Sequence, residues 1–189
     1  MAQPAAFAVI FDMDGVLVDS EPLTVRAYAQ AAAEFGVGMD AEQFAQRVVV
    51  GGELVCDFYV PSGGRADDWD RVFERKTRVY RRLAQEELQV MPGARALRAG
   101  GVRLALATAA SRVTMELVCG ELGLAGHFDA AAALEDVARQ KPDREAFLRA
   151  AGVLGMPPAR CVVIEGAPKG LMAARAAGMR CVVIPGRLC

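Results

Sequence analysis

Two carboxylates, Asp12 and Asp14, stand two residues apart directly behind the apolar run Phe7-Ala-Val-Ile-Phe11, and Gly15 follows them. Acids at this spacing could act as nucleophile and general acid/base, or could hold a magnesium ion beside a phosphate. Five apolar residues in succession suit a strand buried on both faces of a parallel sheet, and glycine then permits a tight turn. Ligands of open α/β sheets bind beyond the carboxyl ends of the strands, which is where these acids would lie. The competing reading is a strand followed by a solvated Asp-rich turn, and the two-residue spacing alone favours it.

The elements that would position such a site recur along the chain. Further apolar runs begin at Val102, Phe128, Cys161 and Cys181, each with strand character and each separated from the next by a helical pattern. That alternation predicts an α/β fold, a Rossmann-like three-layer core around a parallel sheet. The gap between the first run and Val102 is too long for one crossover and reads as several helices. It predicts a small all-helical cap domain at residues 17–86 inserted into a core formed by residues 1–16 and 87–189.

Within the insertion, a first helix runs from Pro22 to Gly36 and a second starts at Asp40, where Gln43 makes a variant capping box. A third covers Glu53 to Tyr59. In the fourth, Trp69, Val72, Phe73, Lys76, Tyr80 and Leu83 share one face, with Arg71, Arg75, Arg78 and Arg82 solvated elsewhere. Lys76 is the only charge on the apolar stripe, and its stem can carry it to the edge of that face. After Pro92-Gly93 a short helix should end at Gly100-Gly101. Thr108 ends the second core strand and a helix starts near Ser111, a combination that suits a phosphate, although a lone threonine favours an ordinary capping turn.

Composition narrows the function. The chain has 189 residues, of which 53% are hydrophobic and 24% charged, and a net charge of −1 from 22 basic and 23 acidic side chains. That profile fits an ordinary globular enzyme and gives no reason to expect nucleic acid or an anionic membrane as partner. Five unpaired-looking cysteines, Cys56, Cys119, Cys161, Cys181 and Cys189, and the absence of a signal-peptide pattern or membrane-length apolar run point to the cytoplasm. The single histidine, His127, cannot by itself build a triad or a multi-histidine metal site and reads as structural.

The string Asp12-Met-Asp-Gly-Val-Leu-Val-Asp-Ser20 closely resembles the first motif of phosphohydrolases in the haloacid dehalogenase superfamily, in the branch of small sugar-phosphate phosphatases and β-phosphoglucomutase. The resemblance covers nearly the whole chain, weakly in the cap. It implies a magnesium-dependent phosphatase that acts on a small phosphorylated metabolite, as monomer or homodimer. Asp12 would be the nucleophile and Asp14 the general acid/base. Thr108 and Lys141 would bind the transferring phosphoryl group, with Ala109 beside them. It also places Gly51-Gly52 at a substrate-specificity loop and Lys76 toward a phosphate under the cap.

The pattern breaks after the fourth strand. Relatives carry two adjacent acids there, whereas this chain reads Glu165-Gly166-Ala-Pro-Lys-Gly170. The acid that binds magnesium directly in the family is replaced by Gly166, which puts the cofactor in question. Magnesium is then expected on Asp12, Asp14 and, if it can rotate in, Glu165. A catalytically weak protein that binds a phosphorylated ligand is the alternative. The chain also stops soon after the fifth strand, which leaves two expectations, a minimal core or a sheet edge covered by a partner chain.

Overall fold

The structure, a computed structural model, describes residues 7–94 and 102–184. The chain divides into two compact units, one holding the described residues up to Asp19 and from Gln89 onward, the other holding Ser20–Leu88. The sequence pattern puts the first boundary three residues earlier and the second two residues earlier. The short helix expected before Gly100 lies outside the described residues.

The core unit contains five parallel strands: β1 (Ala8–Phe11), β2 (Arg103–Ala107), β3 (Ala130–Ala132), β4 (Cys161–Glu165) and β5 (Arg180–Val183), in the spatial order β3-β2-β1-β4-β5. β1 is central, and the order reverses beside it, which creates the crevice at the carboxyl ends where such sheets bind ligands. Register aligns Ala130, Ala105, Ile10, Val163 and Cys181 as one row across all five strands. Since side chains alternate in a strand, the residues two away from this row lie on the same face. Ala8, Ala107, Ala132 and Cys161 are among them, and all are fully buried.

Two helices share the core on that face, α6 (Glu145–Leu154) and α7 (Pro168–Ala176). The many alanines of the face leave room for the large side chains of α6, Phe147 and Leu154, both essentially inaccessible. A further helix, α5 (Arg112–Glu121), begins where Ser111 caps it by accepting from the Thr114 amide. Of the two cysteines that open apolar runs, Cys161 is buried while Cys181, on the sheet-edge strand β5, is only half-buried.

The helical unit has α1 (Glu21–Ala33), α2 (Ala41–Phe44), which continues as a π-helical turn over Ala45–Val50, α3 (Val55–Tyr59) and α4 (Trp69–Glu87). Asp40 caps α2, its carboxylate accepting from the Gln43 amide at 2.8 Å. The rings of Tyr28, Phe44 and Phe58 meet in sequence at centroid distances of 5.3 and 5.4 Å, and Trp69 stacks on Tyr28. On α4 the buried face is Val72, Val79, Tyr80, Leu83 and Ala84, so the expected stripe is rotated and Phe73 lies toward its edge. The arginine face is not simply solvated. Arg75 forms a two-pronged pair with Glu34, Arg26 of α1 does the same with Glu87, and Arg82 donates to Gln30. Exposed pairs of this kind contribute little stability, and they fix the alignment of α1 against α4 more than its strength.

Two stability outcomes follow from these contacts. Asp40→Ala removes a side-chain cap and should lower unfolding free energy by about 1 kcal/mol, with Asp40→Asn close to the unmodified protein, in urea denaturation. Phe147→Ala empties a fully buried site and should cost about 3–5 kcal/mol in the same measurement.

Candidate active site

Asp12 follows β1 by one residue and continues its alternation, so its side chain leaves the sheet on the buried face of Ile10. Glu165, the last residue of β4, stands two beyond Val163 and shares that face. Strand parity therefore brings these two acids to the same side at neighbouring strand ends, and sends residue 166 the other way. Only 8% of Asp12 and 1% of Glu165 remain exposed. Two buried carboxylates demand a cation, and Lys141 supplies it from the loop after β3.

The Lys141 ammonium donates to Asp12 Oδ1 at 2.8 Å, to Glu165 Oε1 at 2.7 Å and to the Ala107 carbonyl at 3.0 Å. An ammonium has three hydrogens, and all three are used. The Phe147 ring closes beneath, its centroid 4.8 Å from Nζ. Burial acts to lower the Lys141 pKa, yet the charges and hydrogen bonds of Asp12 and Glu165 outweigh it and hold the ammonium above the ordinary lysine value. Burial, followed by repulsion from Asp12, pushes the Glu165 carboxyl up, while Lys141 and the Ala167 amide oppose that shift.

The second oxygen of Glu165 is equally engaged. Oε2 accepts from the amides of Gly166 at 2.8 Å and Ala167 at 2.9 Å, at the entry to α7. Asp12 differs, since Oδ1 is held by Lys141 and no donor among the described residues takes Oδ2.

The turn after Asp12 sets Asp14. The Met13 carbonyl accepts from the amides of Val16, Leu17 and Val18, and Gly15 adopts φ 73°, a left-handed conformation that glycine enters without strain. Asp14 is half-buried, and the Thr108 hydroxyl lies 3.5 Å from its Oδ2, at the long limit of a hydrogen bond. Thr108 itself is buried at the end of β2, where its oxygen accepts from the Ala110 amide at 3.0 Å. The exposed Ala109 sits between them in the chain.

Asp12, Asp14, Thr108, Lys141 and Glu165 thus converge at the carboxyl ends of three adjacent strands. Gly51, Gly52 and Lys76 belong to the helical unit. A Cβ on Gly51 would stand 2.6 Å from the Arg47 carbonyl, so the close backbone approach itself requires glycine. The Lys76 ammonium lies over the rings of Tyr28 at 5.0 Å, Tyr80 at 5.1 Å and Phe73 at 5.9 Å, a cation–π setting that explains a charge on an apolar stripe. His127 is half-buried and away from these groups in the sequence, and its Nδ1 has no hydrogen-bond partner among the described residues.

Magnesium needs oxygen donors with free lone pairs, and the donor set is thinner than expected. Glu165 Oε2 accepts from two amides and Oε1 from Lys141 alone, so one lone pair on Oε1 is left to it. Gly166 offers no side chain, and a Cβ there would lie 3.2 Å from the Ile184 carbonyl. Among the described residues no three acids, histidines or cysteines group as a metal site. The Asp12 carboxylate and the Asp14 main-chain carbonyl remain, and one or two protein oxygens completed by water and a substrate phosphate are a common magnesium environment. The residues present fit the ion in that reduced form.

Sequence reasoning missed Gly170, the Ala107 carbonyl and the two amides that hold Glu165. A Cβ on Gly170 would fall 1.8 Å from the Glu165 carboxyl carbon, so only glycine leaves that carboxylate its place. The signal was a glycine in the first turn of a helix, five residues after a strand-ending acid. The carbonyl and the amides carry no sequence signal.

Comparison with known proteins agrees with this geometry. Residues 8–178 match the family model for haloacid dehalogenase-like hydrolases. Hexitol phosphatase B of Escherichia coli is 33% identical over 184 residues, covering 94% of this chain and 83% of that one. Protein CbbY of Cereibacter sphaeroides is 34% identical, covering 95% and 84%. The crystal structure of CbbY from Rhodobacter sphaeroides in complex with phosphate superposes with a TM-score of 0.84 at 29% identity, over 97% of this chain and 88% of that one. With a parallel sheet of this order, paired acids at its central strand end and a family match over most of its length, the chain belongs to the haloacid dehalogenase-like hydrolases.

Proposed function

We propose that the protein is a phosphatase for a small phosphomonoester, a sugar phosphate or similar metabolite, acting through an aspartyl-phosphate on Asp12. The observation that carries this reading is the asymmetry of Asp12, with one oxygen fixed by Lys141 and the other open toward the strand ends. The named activity of hexitol phosphatase B and the phosphate complex of CbbY support the substrate class.

In this reading Asp12 Oδ2 forms the new P–O bond as the substrate's ester bond breaks. The departing alkoxide takes a proton from the Asp14 carboxyl group. A water molecule then returns a proton to Asp14 as it attacks phosphorus, releasing phosphate and the free Asp12 carboxylate. The Thr108 hydroxyl is only weakly engaged and can turn to a phosphoryl oxygen. Magnesium, held by the Asp12 carboxylate and the Asp14 main-chain carbonyl, would neutralise phosphoryl charge when bound. Lys141 spends its three donors on the protein, so its part is to orient and balance Asp12 rather than to grip the phosphate. The helical unit at Ser20–Leu88 is read as a cap that selects substrate, with Gly51, Gly52 and Lys76 as its candidate contacts.

A protein that binds the phosphorylated ligand with little turnover is favoured by one observation, the missing carboxylate at Gly166. Hydrolysis of an aryl phosphate with magnesium separates the two readings. The unmodified chain should turn over, Asp12→Asn should lose about a thousandfold or more, and Thr108→Val about a hundredfold. Activity confined to Gly166→Asp would instead establish the binding reading.

Lys141 also predicts a pH response. A lysine whose folded pKa is raised stabilises the fold fully below the ordinary lysine value, and that stability is lost as pH rises through the raised value. Urea unfolding should therefore show the difference between the unmodified protein and Lys141→Met undiminished through neutral pH and shrinking only above the ordinary lysine range.

A further inference from the structure

We infer that Asp136, helped by Glu135, is a positioning residue for Thr108: the two acids fasten the turn after β2 to the end of β3 and so hold the threonine hydroxyl as a donor at the strand ends. The inference rests on the phosphatase reading for its kinetic consequence, and on geometry alone for its assignment.

Three observations carry it. The Thr108 oxygen accepts from the Ala110 amide at 3.0 Å, which fixes the side-chain angle and leaves the hydroxyl hydrogen to donate. The acceptor in its reach is Asp14 Oδ2 at 3.5 Å, so the donor is held in place but weakly used. Second, the turn that carries the Ala110 amide is fastened from the neighbouring loop. The Leu134 amide donates to the Ala110 carbonyl at 2.9 Å, the Arg112 amide donates to Glu135 Oε2 at 2.8 Å, and the Arg112 guanidinium donates to Asp136 Oδ2. Third, the same Asp136 oxygen accepts from the amide of Ala133, the residue directly after β3, at 2.8 Å. One oxygen thus joins the loop of β2 to the loop of β3. The Ala133 amide first, and Arg112 after it, hold the Asp136 carboxyl below the ordinary carboxylate range.

A partly exposed ion pair of this kind adds little stability, so its consequence is geometric. With Asp136 removed, residue 112 is no longer tied to β3 through its side chain and the turn is free to rotate. The Ala110 amide then leaves the Thr108 oxygen, and the hydroxyl loses its fixed direction. Neither acid has to meet the substrate for this role.

A double-mutant cycle with Thr108→Val tests it, because a residue that acts through Thr108 has nothing left to position once the hydroxyl is gone. Asp136→Ala and Glu135→Ala are made in the unmodified chain and in Thr108→Val, with thermal melting to confirm folding. In steady-state hydrolysis of an aryl phosphate with magnesium, Asp136→Ala should lose about tenfold to a hundredfold in kcat with KM within about threefold, the size expected when a reacting contact is misplaced by about 1 Å. Glu135→Ala should lose less, and Asp136→Asn and Glu135→Gln, which keep an acceptor oxygen, should recover to within about threefold of the unmodified chain. In Thr108→Val the alanine substitutions should cost less than about threefold further. Equal losses in both backgrounds would make the acids ordinary structural support and overturn the inference, as would Asp136→Ala with unmodified kcat.

Methyl NMR of threonine keeps this inference separate from the phosphatase reading, since it needs no turnover. The chain has four threonines, and Thr108→Val assigns the Thr108 signal. The three-bond coupling to that methyl should report one rotamer in the unmodified chain and an average of rotamers in Asp136→Ala. A single unchanged rotamer in Asp136→Ala would overturn the inference. Averaging there, in a chain that hydrolyses no phosphomonoester, would uphold the assignment while the phosphatase reading fails by itself.

Discussion

A single buried ammonium organises the core unit's functional end. Lys141 accepts a position from which it must satisfy two buried carboxylates and one strand carbonyl, and each belongs to a different strand end. Two acids this deeply buried would repel one another and carry a large desolvation cost without it. The ammonium converts that repulsion into a fixed geometry, and the fold supplies the rest: β1 and β4 deliver the acids, β2 delivers the carbonyl, and the Phe147 ring of α6 closes the underside. Removing the lysine leaves two buried carboxylates uncompensated, so the three groups work as one unit rather than as separable contacts.

The same arrangement gives different surroundings to two acids that look alike in sequence. Asp12 is held by one oxygen only, whereas Glu165 is held by both. Asp12 thus keeps an oxygen that no described donor takes, and Glu165 does not. The entry to α7 makes this possible, because its first amides point back at the strand end and attract a carboxylate, as helix N-termini do. Gly170 completes the device by leaving empty the space that any side chain would fill.

Much of the fold was legible. Strand runs at Phe7, Val102 and Cys161, the cap at Asp40 and the turn at Gly15 each carry a local physical signature: apolar continuity, an acid before a helix, a glycine able to take positive φ. The face of α4 was less legible, since nineteen residues of mixed arginine and apolar character allow more than one stripe. Packing against the other helices chose Val79 and Ala84 for the interior and left Phe73 toward the edge. Lys76 shows the same limit, because only the assembled rings of Tyr28, Phe73 and Tyr80 reveal what its charge rests against.

By itself the sequence determined that this is an α/β chain with two acids behind a buried strand, and that residue 166 carries no carboxylate. Those are properties of residue type and spacing, which are local. Tertiary structure decided what Glu165 does. Its fate depends on the lysine that follows β3, on two amides that have no side-chain signature, and on a glycine one helical turn away. None of these is near Asp12 in the chain, and strand parity together with sheet order, not proximity in sequence, brings them to one point.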